Sequence, residues 1–289
     1  MKTKFVVLAL VSAFSLQPSA WLHAATSIDN VNRSAYGANV GWMDWTGDTA
    51  NGAVIGDYVC FGYVYGANVG WINLGSGSPT NGIRYLNLDA SDFGVNHDGL
   101  GNLRGYAWGA NVGWIAFEDN GAPKLDLLTG KFSGYVYSAN CGWISLSNAV
   151  AFVQTDSLDH GALAPDGLPI AWLLANFGTT NVNANADPDG DGQSNQQEYL
   201  AGTNPNDAGD YLHITGVQRG DVGDPHYVIL TWTSQPTRFY AIQGRSSLDA
   251  STSWGDLYSL PWPGINNVGF DSTAGQNFYR IRATRPLSP

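Results

Sequence analysis

Basic side chains are scarce in this 289-residue chain, which sets 13 lysines and arginines against 24 acidic residues for a formal charge of −11. A chain of that sign repels a polyphosphate backbone, so nucleic acid is excluded as a partner. Glutamate is nearly missing: Glu118 and Glu198 are its two glutamates, and the carboxylates are otherwise aspartates set among glycines in turns. Catalytic signatures are missing too. There is no GxSxG elbow, no HExxH pair, no Walker loop and no dinucleotide fingerprint. His97, His160, His213 and His226 each stand alone in the sequence, and an isolated histidine is more often solvated or satisfied in a core than catalytic. A glycosidase needs two carboxylates within about 10 Å of each other. Asp44, Asp92 and Asp98 are available but nothing pairs them, so the sequence points away from an enzyme.

Long apolar runs are absent after the first two dozen residues, and none approaches the roughly 18 residues of a membrane span. Residues 1–24 carry Lys2 and Lys4, an apolar run from Phe5 to Phe14 and small residues around Ala20, Ala24 and Ala25, the layout of a secretory signal peptide. Export to the extracellular space or cell surface is expected. Removing that segment leaves 11 basic and 24 acidic residues, a charge of −13. Cysteine is limited to Cys60 and Cys141. In an oxidising compartment they could pair, closing a loop of roughly 80 residues and stabilising the fold by about 4 to 5 kcal/mol. Two buried free thiols are the alternative.

What is abundant is glycine and aromatic side chains: 36 glycines, 14 tyrosines and 11 tryptophans describe a turn-rich β protein with little helix. Four segments repeat one motif, SAYGANVGWMDW, GYVYGANVGWINL, GYAWGANVGWIAF and GYVYSANCGWISL. Their asparagines, Asn39, Asn68, Asn111 and Asn140, are spaced by 29, 43 and 29 residues, so the middle gap holds an extra loop around Asp92 to Asn102. Each motif reads as a β-hairpin with a tight turn through Gly-Ala-Asn, the asparagine tolerating the left-handed region and offering a side chain that can bond the nearby backbone. GIRYLNLD and PKLDLLTGKF between the motifs are expected to add strands. The expected architecture is a four-repeat β-hairpin domain over residues 25–155, a calcium-loop and helix connector over 166–210, and a small antiparallel β-sandwich over 211–285.

Alternation along each second strand separates two faces. Met43 and Trp45, Ile72 and Leu74, Ile115 and Phe117, and Ile144 and Leu146 fall on one, which should be core. Trp42, Trp71, Trp114 and Trp143 fall on the other, near Tyr63, Tyr65, Tyr106, Tyr135 and Tyr137. Flat aromatics beside small polar groups suit stacking on sugar rings. Packing between neighbouring repeats is the favoured reading, because a repeat usually buries a face it cannot bury alone against the next.

Residues 187–198 read DPDGDGQSNQQE, with oxygen-bearing side chains at loop positions 1, 3, 5, 9 and 12 and glycine at position 6. That is the ligand spacing of an EF-hand calcium loop. Asp187, Asp189 and Asp191 would each supply an oxygen, Gln193 its backbone carbonyl, Asn195 a direct or water-mediated ligand, and Glu198 two oxygens. LPIAWLLANFG upstream reads as a helix with Pro169 in its first turn and Gly178 as its stop, and QQEYLAGTNP as one or two helical turns ended by Gly202. Over about 24 residues this segment resembles the thrombospondin type 3-like calcium repeat of secreted bacterial proteins, with its pattern DPDGDGxSNxxEYxxGTxP. The resemblance implies calcium at those acidic positions and a stiff connector. The helix stops nine residues before Asp187, unlike a true EF-hand, and the single loop departs from a dockerin, which carries two.

From Tyr211 onward, YLHITGV, HYVILTW, RFYAIQG, SWGDLYSL and NFYRIRA alternate with turns. Their order is similar to fibronectin type III modules, which implies Trp232 as core tryptophan. Arg280, Arg282 and Arg285 form a basic cluster expected to be a solvated edge. Together these features predict a secreted, calcium-binding modular protein with a structural or adhesive role toward a surface protein or polysaccharide. Carbohydrate binding through the four repeat tryptophans is the alternative, and a polysaccharide-degrading enzyme a third.

Overall fold

The computed structural model describes residues 26–48, 50–219, 227–249, 251–260, 263–271 and 278–288; the expected signal peptide and His226 lie outside them. The chain is mainly β, with two short helices among the described residues. No helix there is long and apolar enough to cross a membrane.

Each repeat motif folds into one antiparallel hairpin: Ile28–Gly37 with Gly41–Asp44, Tyr63–Gly66 with Gly70–Asn73, Leu103–Gly109 with Gly113–Phe117, and Tyr135–Ser138 with Gly142–Ser145. Neighbouring hairpins pair in sequence order, and the last strand returns to the first through Tyr36↔Ser145 and Gly37↔Ile144. The result is a closed eight-stranded antiparallel barrel. Closure leaves no free edge among these strands. An eight-strand barrel is just wide enough to be filled by its own side chains, and Met43, Val64, Ile72, Ala107, Ile115, Val136 and Ile144 fill this one. Trp45, Leu74, Phe117 and Leu146 are buried with them, as the strand alternation predicts.

The turn differs in mechanism from the expectation. The pairs Gly37↔Gly41 and Gly66↔Gly70 bracket three-residue loops, and the left-handed position falls on the glycine that ends the loop: Gly41, Gly70, Gly113 and Gly142 have φ between +72° and +78°. The asparagine takes no left-handed conformation. Its amide instead donates to the loop of the preceding hairpin, Asn68 to the Val40 carbonyl at 3.1 Å, Asn111 to Val69 at 3.1 Å, Asn140 to Val112 at 3.1 Å, and Asn39 across the closure to Cys141 at 3.0 Å. Four identical bonds thus form a ring around one end of the barrel. Each satisfies a loop carbonyl that no strand ladder could reach.

Under that ring lie Val40, Val69, Val112 and Cys141, all buried. A Cβ on Gly37, Gly66 or Gly109 would stand 2.6, 2.7 or 2.6 Å from the valine Cγ2 of its own loop. The fourth repeat has a side chain at that place, Ser138, and opposite it a cysteine, which lacks the second branch. Serine and cysteine therefore substitute for glycine and valine as a pair. Cys141→Val alone should overpack the site and cost about 1 to 3 kcal/mol, and adding Ser138→Gly should recover part of it. A urea-unfolding double-mutant cycle reads the coupling; additive effects would refute the pairing. The disulfide weighed for Cys60 and Cys141 is not made, since both are buried free thiols.

GIRYLNLD adds no strand. Side chains replace the ladder: Asn81 accepts from the amides of Ile83 and Arg84, Asn96 from that of Tyr85, and Asp92 from that of Leu86. PKLDLLTGKF does contribute a small hairpin, Lys124–Leu125 with Phe132–Ser133. Within the extra loop, Val95–His97 pairs with Leu103–Gly109 and widens the sheet there.

Helix α1, Ile170–Phe177, starts directly after the extended Pro169 and is stopped by left-handed Gly178, and helix α2, Asn195–Ala201, ends at left-handed Gly202. Ser194 and Gln197 form a reciprocal capping box at the start of α2, a signature present in the sequence as S-x-x-Q. Two three-stranded antiparallel sheets follow, Ile214–Arg219, Tyr227–Trp232 and Asn267–Asp271 in one, Gly255–Ser259, Phe239–Arg245 and Phe278–Thr284 in the other. They share an apolar cluster that includes Leu230, Trp232, Tyr240, Ile242 and Phe270. Asn267–Asp271 was not anticipated, because Val268 and Phe270 are too short an alternation to signal a strand without the ladder to Tyr227–Thr231.

Candidate metal centre, aromatic belt and module junction

The acidic loop is wound on its own side chains. Asp187 accepts from the amides of Gly190 and Gly192, Asp189 from Asp191, and Asp191 from Gln193. Left-handed Gly190 and Gly192, at φ +81° and +93°, allow the turns. These bonds aim the acids at one point: Asp187, Asp189 and Asp191 bring one oxygen each within 4.8 Å of one another. Helix α2 supplies the other wall, with Asn195 and Glu198 both fully buried. Asp189 Oδ2, Asp191 Oδ2, Asn195 Oδ1 and Glu198 Oε2 are buried oxygens with no hydrogen-bond partner. Burial, followed by the charges of Asp189 and Asp191, pushes the Glu198 carboxyl up to about 7. Three aspartate oxygens gathered within 4.8 Å, next to a helix whose buried Asn195 and Glu198 oxygens have no donor, suit a hard cation with oxygen ligands, and calcium fits that donor set.

The repeat tryptophans lie on the outside of the barrel. Each packs at a steep tilt against its cross-strand neighbour within its own hairpin, Trp42 on Tyr36, Trp71 on Tyr65, Trp114 on Trp108 and Trp143 on Tyr137, with ring centroids 4.8, 4.9, 4.7 and 5.0 Å apart and interplanar angles of 55 to 61°. All four tryptophans remain 42 to 49% exposed. The favoured expectation of packing between repeats is therefore corrected: the barrel buries its aliphatic face inside, and the aromatic face forms a belt of pairs open to solvent.

A junction that the sequence did not announce joins the segments. Arg238 donates from Nε to the Leu200 carbonyl at 2.7 Å and from Nη2 to that of Tyr199 at 2.9 Å, covering the open end of α2. Arg285 lies 4.5 Å from the centre of the Tyr199 ring and pairs with Asp57 of the barrel segment. The two side chains of that pair are 9 and 12% exposed, and His160 Nδ1 stands 3.1 Å from the same carboxylate oxygen. Burial works against the Asp57 charge, but the His160 bond and the Arg285 charge outweigh it and hold the carboxyl below its ordinary value. Arg285 is thus no part of a solvated edge, unlike Arg282, whose pair with Asp256 is 44 and 42% exposed. The signal was weak because an arginine's partner 228 residues away leaves no local pattern.

Other candidates for chemistry among the described residues have structural partners, while Glu118 is exposed. Asp44, Asp92 and Asp98 each accept backbone amides in turns. His97 is buried with Nδ1 3.0 Å from the Gly56 carbonyl, and His213 stacks on Tyr211. No family model, curated protein or solved structure matches the chain.

Proposed function

We propose that this is a secreted, calcium-binding modular protein of the extracellular space or cell surface, whose barrel is an interaction module and whose role is binding, not catalysis. Its partner is a surface protein or a polysaccharide. Asp187, Asp189, Asp191, Asn195 and Glu198, with the Gln193 carbonyl, hold calcium. The observation that carries the reading is the position of α2. One turn of this helix presents Glu198 to the acidic loop, while its next two residues, Tyr199 and Leu200, are held by Arg238 and Arg285. Calcium that pins Glu198 therefore also fixes the helix on which the C-terminal sheets and the barrel meet.

Small-angle scattering of the full chain tests this. With calcium the wild type should be compact; with chelator it should expand, and an Asp189→Asn, Asp191→Asn variant should stay expanded in both. Identical scattering with calcium and chelator would refute a connector role for the ion.

A further inference from the structure

The third hairpin departs from the second and the fourth, and the departure makes a cleft. Trp71 and Trp143 each press a ring edge on a glycine of the loop before their hairpin, so closely that a Cβ on Gly47 or Gly121 would lie 3.3 or 3.0 Å from it. At Trp114 the extra loop brings Phe93 instead, edge-on at 5.1 Å. Tyr106 closes a third side at 6.1 Å. Between these rings and the loop residues Asn87, Leu88 and Asp89 opens a cleft of about 370 Å³, within the size range of small-ligand sites.

The loop that walls the cleft is fixed by its own side-chain bonds. Asp92, itself buried, accepts from the amide and hydroxyl of Thr80 and from the amide of Leu86. Asn87 adopts φ 55°, and its side-chain oxygen accepts from the Gly94 amide. Gly105 lets this loop approach the hairpin, since a Cβ there would meet the Asn87 amide nitrogen at 2.7 Å. A site organised before its ligand arrives loses less entropy on binding.

Its chemistry is aromatic faces with a rim of acceptors. The Ser91 hydroxyl and amide hold the Asp89 carboxyl below its ordinary value, so it is ionised at neutral pH. Beyond Tyr106 a second cleft continues the rim with Arg104, Glu118, Asp119 and Asn120, and Arg104 is already paired with Asp119. An anionic polymer would meet three carboxylates and no free cation, and a purely apolar partner would desolvate them unpaired. A polyol offers hydroxyl donors to the rim and C–H faces to the rings.

We infer that this cleft binds a pyranose unit of a neutral polysaccharide, stacked on Trp114 and Tyr106 and hydrogen-bonded by Asp89, with the next unit over the Glu118 cleft. The inference rests on the reading of the barrel as the interaction module. It is tested by native electrophoresis of the full mature protein, with calcium, through gels containing hydroxyethylcellulose, galactomannan, xylan or starch, beside alginate and polygalacturonate. The wild type should be retarded in at least one neutral gel. Trp114→Ala should weaken that retention tenfold or more, Asp89→Asn severalfold, and Trp42→Ala hardly at all. Asp89 is exposed and Asn keeps the oxygen that Ser91 uses, so this variant decides the matter should Trp114→Ala fail to fold. Retention in no neutral gel, retention by polyanions only, or equal loss in Trp42→Ala would overturn the inference. A protein that shows no retention yet still contracts with calcium would remove the cleft alone and leave the modular reading standing.

Discussion

Replacing Arg285 with methionine should cost about 3 to 5 kcal/mol, because it strands the Asp57 carboxylate, 12% exposed, beside His160 alone. Urea unfolding of the full chain measures it. Arg282→Met is the matched control: its pair with Asp256 is exposed and should be worth less than about 1 kcal/mol. Converting Asp57 to Asn in the Arg285→Met background should recover part of the loss, since no uncompensated charge would then remain. The pH dependence has a definite sign. The folded carboxyl of Asp57 titrates below its ordinary value, so its contribution is fully present above that value and disappears as pH falls through the depressed one. Acid should consequently loosen the junction later in the wild type than in the arginine variant. A cost for Arg285→Met no larger than for Arg282→Met would show that the pair does not hold the segments together.

Calcium should raise the melting temperature by roughly 5 to 10 °C. An extracellular site with a dissociation constant on the order of 10⁻⁴ M, at about a hundredfold excess of calcium, stabilises the folded state by about 2.7 kcal/mol, and a chain of this size gains about 2 to 4 °C per kcal/mol. The effect should grow with pH between about 5 and 7. Without the ion Glu198 holds a proton up to about pH 7; calcium must displace it at low pH and need not at higher pH. Raised pH also destabilises the ion-free chain, because it ionises a carboxyl whose folded-state value lies above its unfolded one. Differential scanning calorimetry with calcium and with chelator at pH 5.5 and 8 reads both consequences. Equal melting temperatures under all four conditions would rule out the metal.

Some features were legible because they depend on spacing along the chain. The aliphatic residues two apart in each second strand point inward as their alternation requires, from Met43 and Trp45 to Ile144 and Leu146. Gly178 and Gly202 stop their helices where the apolar pattern ends. The acidic loop brings together the three aspartates that its one-three-five spacing marks. For the asparagines the same reasoning held in part: their side chains do bond backbone, but that of the neighbouring loop, and the left-handed role passes to the loop glycine, which fills it at less steric cost.

By itself, then, the sequence determined the four hairpins, the loop that gathers three aspartates and the division into an aliphatic and an aromatic face, all set by periodicities of two to twelve residues. Only the tertiary structure decided that the hairpins close into a barrel, that their asparagines bond from one loop to the next, that the outer aromatics stay open to solvent, and that Arg285 reaches Asp57. These join residues as far as 228 positions apart. Their free energy comes from closing a sheet with no edge and from pairing buried polar groups, and neither exists until the distant segments have met.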